Sequence, residues 1–209
     1  MLITGIKSRP IYTVLEPDLS GRFHLLVGQG SGGAALIALL QHLPVDAPKQ
    51  IIYATESFTG ENWQAKLQSA GASDVHSVPT QTEAIAELEV VLSKCVMGTR
   101  LYIAGSESFI GSAVQVSVKY DMHGDEVQRE HRGTAARRVH CIHCKAANEN
   151  VTTNIVQCSG CGRHLLVRDH YSRRLAGYMG VMVDAEVPGT IPPLEEVFGW
   201  STQKPSPSS

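Results

Sequence analysis

The feature that most constrains this chain is a pair of pairs: Cys141-Ile-His-Cys144, thirteen intervening residues, then Cys158-Ser-Gly-Cys161. Each two-residue knuckle can present both thiolates to one ion, and two knuckles together close a tetrahedral shell of soft ligands. A closed shell leaves no position for an activated water. The expected ion is therefore a structural zinc held by Cys141, Cys144, Cys158 and Cys161, stabilising a segment too small to fold on its own core. Gly160 and Gly162 suit a backbone that must turn tightly toward the sulfurs. Iron in the same four-thiolate shell is the rival reading, and thiols without metal the plainer one. His140 and His143 lie close by, but four cysteines already suffice, so both read as surface residues.

The fifth cysteine, Cys95, stands between Leu92 and Val96 in a helix-like stretch and reads as a small buried apolar residue. Thiols in tight pairs rather than disulfide spacings point to a reducing compartment. No apolar run approaches the roughly eighteen residues of a membrane span, and the start MLITGIKSRPIYTVLEPD has no basic segment followed by an apolar one. A cytoplasmic protein without a membrane partner is expected. A net charge of −2 over 209 residues gives no general pull toward nucleic acid or anionic lipid.

From Gly21 to about Met122, short apolar runs alternate with longer helical patterns, the signature of βαβ units and a parallel sheet. Strands are expected at 23–27, 51–54, 75–78 and 101–104. Helices are expected at 34–40, at 61–70 closed by Gly71, at 82–97 stopped by Gly98, and from Phe109 to about Tyr120 with Ser108 as N-cap. The fold class is thus α/β, with a domain at 1–124 followed by a linker at 125–139, polar and without periodicity. A zinc ribbon is placed at 140–174, with 151–156 and 164–167 as its hairpin strands. An extended, proline-bearing arm occupies 175–209, able to lie on another chain, with a disordered end at Lys204-Pro-Ser-Pro-Ser-Ser.

The turn Gly28-Gln-Gly-Ser-Gly-Gly33, after the first strand and before a helix, is where α/β proteins receive phosphates. It fits the dinucleotide fingerprint loosely: Ala34 follows Gly33, and the end of the second strand reads Thr55-Glu56. Nucleotide binding and a purely structural turn both remain open. The stretches 25–43, 51–57 and 101–110 resemble the pyridine-nucleotide half of ferredoxin-reductase-type flavoenzymes. In that family the first glycine loop ends in Thr-Pro and the last strand in Cys-Gly-Pro. Here those places hold Gly33-Ala34 and Ala104-Gly105-Ser106. With about twenty residues before the first strand there is no room for a flavin-binding barrel, so the resemblance implies a reductase-like scaffold without redox catalysis and without cofactor-binding residues of its own.

Arg163, Arg168, Arg173 and Arg174, interleaved with His164, His170 and Tyr171, could serve a nucleic-acid surface. With Asp169 in their midst, they read better as a protein interface. The run from Cys158 to Gly180 resembles the small zinc-containing subunit family of bacterial dimethylamine monooxygenases. That resemblance implies membership of a hetero-oligomer that oxidises dimethylamine to methylamine and formaldehyde with NADPH and dioxygen. Haem is implied on one partner, the oxygenase subunit, and flavin (FMN) with a [2Fe-2S] cluster on another, the reductase subunit. No catalytic residue is implied on this chain, whose expected share is assembly. Two other readings stand beside it: an NADPH-binding subunit that assists hydride delivery to a partner's flavin, and a zinc-ribbon nucleic-acid-binding protein.

Overall fold

The computed structural model describes residues 8–70 and 74–199, so the expected stop at Gly71 and the tail from Lys204 lie outside the described residues. The rest falls into two compact units. One is Tyr12–Gly133; the other joins 8–11 to the residues from Thr134 onward.

In the first unit, β1 (Phe23–Gln29), β2 (Lys49–Ala54), β3 (Val75–Val78), β4 (Thr99–Gly105) and β5 (Val127–His131) form an all-parallel sheet in the order β3-β2-β1-β4-β5. Buried on both faces, the central strands are nearly continuous apolar runs, as a parallel sheet requires. Alternation divides them. Leu25, Val27, Ile52 and Ile103 meet α3 (Gln81–Leu92) and α4 (Glu107–Lys119). Leu26, Ile51, Tyr53 and Tyr102 meet α1 (Gly32–Leu40) and α2 (Gln64–Ser69).

Several local expectations need correction. The stretch read as a linker at 125–139 holds β5 and the start of β6 (Arg137–Cys141). β5 is an edge strand with polar side chains, so its sequence lacks the alternation by which strands are recognised. The segment before β1 covers that edge: Thr13 N–H bonds Arg129 O, and Leu15 N–H bonds the buried Glu130 carboxylate at 2.8 Å. The N-cap of α4 is Ser106, which accepts from Phe109 N–H, while Ser108 lies within the helix. Helix α3 starts earlier than expected. Thr80 caps it in a reciprocal box with Glu83, and it ends at Leu92, leaving Cys95 in the turn beyond.

The second unit is a five-stranded sheet in the order β7-β6-β10-β9-β8, where β7 is Ala147–Val151, β8 Ile155–Gln157, β9 His164–Ser172 and β10 Gly177–Met182. β6 and β10 run parallel, and the other neighbours antiparallel. Residues 177–182, assigned to the arm, are therefore the central strand, for which Gly177 and Gly180 allow close approach of β6 and β9 side chains and backbone. The segment after β10 returns to its own sheet. Val197 and Phe198 N–H groups both reach Thr152 O, and Asn154 bonds Pro193 O and Glu195 N–H. No helix among the described residues is long and apolar enough to cross a membrane.

Candidate metal centre

Two tight turns, each closed by a bond from the fifth residue back to the first, make the centre. β6 delivers Cys141, and the chain doubles back through Cys144 into β7, with Lys145 N–H on Cys141 O at 3.0 Å. β8 delivers Cys158, and Cys161 leads into β9, with Gly162 N–H on Cys158 O at 2.9 Å. The residue after each second cysteine has a left-handed backbone, Lys145 at φ 67° and Gly162 at φ 72°. Gly162 thus has the conformational role expected of it. Gly160 has a different one: a Cβ there would lie 2.7 Å from the Ala146 Cβ and 3.1 Å from Cys144 Sγ.

The four sulfurs all lie within 4.8 Å of one another. Cys141 and Cys161 are 3.8 Å apart, and Cys144 and Cys158 3.5 Å. Thiolates about 2.3 Å from a tetrahedral ion stand about 3.8 Å from each other, so the donor set fits one metal ion. Cys141 and Cys158 are buried, Cys161 partly so, and Cys144 is exposed. The peptide groups already favour negative sulfur. Burial works to raise the Cys158 thiol, but the N–H groups of Cys161 and Gly160, then the thiols of Cys144 and Cys161, outweigh it and bring it to about 6. For Cys161, the backbone and guanidinium of Arg163 lower the thiol against burial. Cys144 goes the other way. The Ala146 N–H lowers it, but burial and the three neighbouring thiols push it to about 11.

Neither histidine joins the cluster. His140 Nε2 lies 2.8 Å from Leu175 O, and His143 Nδ1 accepts from Arg163 at 3.0 Å. Of the arginines singled out from sequence, only Arg163 stands at the centre; Arg168, Arg173 and Arg174 are exposed on β9 and the turn after it. The arginine that organises this unit is Arg137. It is buried, lies between the rings of Tyr178 and Phe198 at 3.8 and 3.7 Å, and pairs with Asp169 at 2.8 Å. Burial opposes the charge on Asp169, while Arg9 and Arg137 together hold its carboxyl below the ordinary range.

The glycine turn of the first unit has a compact internal explanation. Gly30 has φ +49° and its carbonyl accepts from Tyr53 Oη at 2.8 Å. A Cβ on Gly32 would stand 2.1 Å from Ala104 O, and one on Gly33 2.4 Å from the Trp63 Cβ. The first amides of α1 turn inward as well, Gly33 N–H to Gly30 O and Ala34 N–H to Ser31 O. Cys95, half-buried, has its thiol raised by burial, in keeping with an unreactive residue.

Family comparison matches the chain in two parts. The N-terminal domain of dimethylamine monooxygenase subunit DmmA-like proteins matches residues 4–127, and their C-terminal domain matches residues 138–181, a stretch that includes all four cysteines. The chain belongs to that family. The heme-dependent oxidative N-demethylase delta subunit of Ectopseudomonas mendocina (strain ymp) is 32% identical over 108 residues, which are 50% of this chain and 62% of that relative. The match thus spans less than two thirds of the relative's length. Solved structures similar to part of the chain include an intact type IV self-sufficient cytochrome P450 monooxygenase, at 19% identity and a TM-score of 0.44, covering 55% of this chain and 15% of that one. Another is the flavohem-like FAD/NAD binding domain of nitric oxide dioxygenase from Vibrio cholerae O1 biovar El Tor, at 14% identity and a TM-score of 0.37, covering 52% and 50%.

Two residues have roles at the cysteine centre that the sequence did not assign: Asn148 is not singled out there, and Arg163 reads as part of a protein interface. Asn148 and Arg163 both reach the sulfurs, Asn148 from the neighbouring strand β7. Arg163 stands two residues after Cys161, within range of a local reading. Asn148 becomes visible only once β6 and β7 are paired, because its register opposite Val139 turns its side chain toward the knuckles.

Proposed function

We propose that this chain is a non-catalytic assembly subunit of a multicomponent, NADPH- and O2-dependent dimethylamine monooxygenase that converts dimethylamine to methylamine and formaldehyde. The observation that carries the reading is the closed four-sulfur cluster within the family's C-terminal domain: four protein thiolates leave a metal no open position for chemistry. Cys141, Cys144, Cys158 and Cys161 hold a structural zinc, whose contribution is to fix β6–β10. Haem belongs to a partner oxygenase subunit, and FMN with a [2Fe-2S] cluster to a partner reductase subunit. The working form is a cytoplasmic hetero-oligomer without nucleic acid or membrane. In keeping with an architectural role, Gly32 and Gly33 are required by the close approach of the β4 backbone and Trp63.

Purified alone, the chain should carry one zinc, show no visible chromophore and leave NADPH unoxidised. Mixed with its co-purifying partners, wild-type chain should restore NADPH-dependent formaldehyde release, and C158S should fail to assemble. Stoichiometric flavin on the isolated chain, or NADPH turnover by it, would sink the reading.

The strand order favours one second reading. In a doubly wound sheet the crevice between β1 and β4 is the place for a ligand, so the glycine turn would bind NADPH and assist hydride delivery to a partner's flavin. Saturable NADPH binding that vanishes when Gly30 is replaced by a bulky residue would favour it.

A further inference from the structure

Asn148 is a buried polar residue on β7, 6% exposed, and its side chain touches both halves of the sulfur cluster. Its Nδ2 donates to Val139 O at 3.1 Å, on the strand that delivers Cys141. Its Oδ1 accepts from Ser159 N–H at 2.8 Å, inside the second knuckle. These two bonds fix which end is which, since a flipped amide would set oxygen against a carbonyl and N–H against N–H. With the orientation fixed, Nδ2 also stands 3.9 Å from Cys158 Sγ, within reach of a sulfur hydrogen bond.

Four thiolates around a divalent ion leave a net charge of about −2 in a partly buried place, so each N–H aimed at sulfur stabilises the loaded site. Most such donors here are backbone groups, which a change of side chain short of proline leaves in place. Among the described residues, the two side-chain donors are Arg163 on Cys161 and Asn148 on Cys158. Cys158 is the buried one of that pair, so solvent cannot replace a donor lost there.

We infer that Asn148 is a positioning residue of the metal centre, ordering the second knuckle against β6 and donating to the Cys158 thiolate. The inference rests on reading the cluster as a metal site. It goes beyond that reading by assigning metal affinity and sulfur donor strength to a residue that is not a ligand.

Asn154 provides an internal control. It makes the same kind of amide bridge in the same unit, Nδ2 to Pro193 O at 3.2 Å and Oδ1 from Glu195 N–H at 2.9 Å, but its bonds are to the returning segment rather than to the sulfurs. The experiment compares full-length wild type, N148L, N148D and N154L. Zinc affinity is measured by chelator competition, and the thiolate-to-cobalt charge-transfer band is recorded on the Co(II)-loaded proteins. N148L should weaken zinc by about tenfold to a hundredfold, the usual effect of losing an outer-shell partner, and shift the charge-transfer band. N148D keeps the acceptor for Ser159 but sets an anion against Cys158, so its loss should be at least as large. N154L should leave both readings at the wild-type value.

Affinity and band unchanged in N148L overturn the inference. So does an equal effect in N154L, which would mark general loosening, and so does failure of both Asn148 variants to fold in excess zinc, which would make the residue structural only. If wild type itself takes up neither zinc nor cobalt, the metal reading falls and carries this inference with it.

Discussion

Gly32 and Gly33 stand where the sequence most resembles a phosphate-binding turn, yet the chain itself requires both. Helix α1 begins so close to β4 that a β-carbon on Gly32 would meet a backbone carbonyl, Ala104 O at 2.1 Å, which cannot rotate away. Gly32→Ala should therefore destabilise the first unit by about 1–3 kcal/mol or more, the ordinary range for overpacking. Gly124→Ala, with nothing within 4 Å of the new carbon, should be neutral to within about 0.5 kcal/mol. Urea unfolding followed by far-UV circular dichroism checks both, and equal midpoints for the two variants would count against the packing account. The contrast shows what a residue discloses before folding. The cysteines were legible because their meaning lies in local spacing. The glycines were not, because the same residue serves a bound phosphate and a close backbone, and only the position of β4 shows that the packing needs them. Arg137 was hidden for a related reason: its partners Tyr178, Phe198 and Asp169 lie more than thirty residues away in sequence.

At the scale of elements, β1, β2 and β4 were legible because burial on both faces demands an unbroken apolar run, which leaves an unmistakable pattern. β5 and β10 were not. The first is a polar edge strand, and the second contains two glycines and follows a turn rich in arginine. One polar residue inside an apolar run has a consequence of its own. His24 of β1 is 2% exposed, with Nδ1 3.2 Å from Tyr102 Oη. Burial lowers its pKa from 6.5; Asp18 opposes this, while Lys49 and Arg100 add to it. The folded chain therefore resists protonation that the unfolded chain accepts, so the stability is fully present above pH 6.5 and is lost as pH falls below it. Asp18 acts in a lower window. The Ser20 hydroxyl first, then Arg100, bring its carboxyl from 3.8 to about 2, so its contribution persists until pH falls through that range. The thermal midpoint of the wild type should drop between about pH 7 and pH 5.5, and H24Q should show a flatter profile there while keeping the steeper loss at lower pH. Parallel profiles for the two proteins would remove His24 as the cause.

At the scale of the whole molecule, the two units differ in what holds them. The parallel-sheet unit has a core on each face of its sheet, built from large aliphatic and aromatic side chains. The cysteine-bearing unit has two small clusters, one centred on Val139, Val151, Val167 and Tyr178, the other made of Leu165 with the cysteines themselves. Domains with so little apolar burial depend on a staple, and where that staple is a metal, binding energy becomes folding energy. If the proposed zinc is that staple, its removal should act unequally. In calorimetry the loaded chain should show a transition for 134–199 that moves down or disappears after chelation, while the transition of Tyr12–Gly133 stays in place. Hydrogen exchange gives the finer test. After chelation, protection should collapse across β6 to β10 and persist in β1 and β4. Re-addition of zinc should restore it in the wild type but not in C158S. If chelation loosened the parallel sheet to the same degree, the metal would be stabilising the chain as one body, and the separate cores would not describe how it folds. If protection in β6 to β10 survived chelation, the small clusters and the Arg137 stack would be sufficient without metal, and the four sulfurs would need a purpose other than architecture.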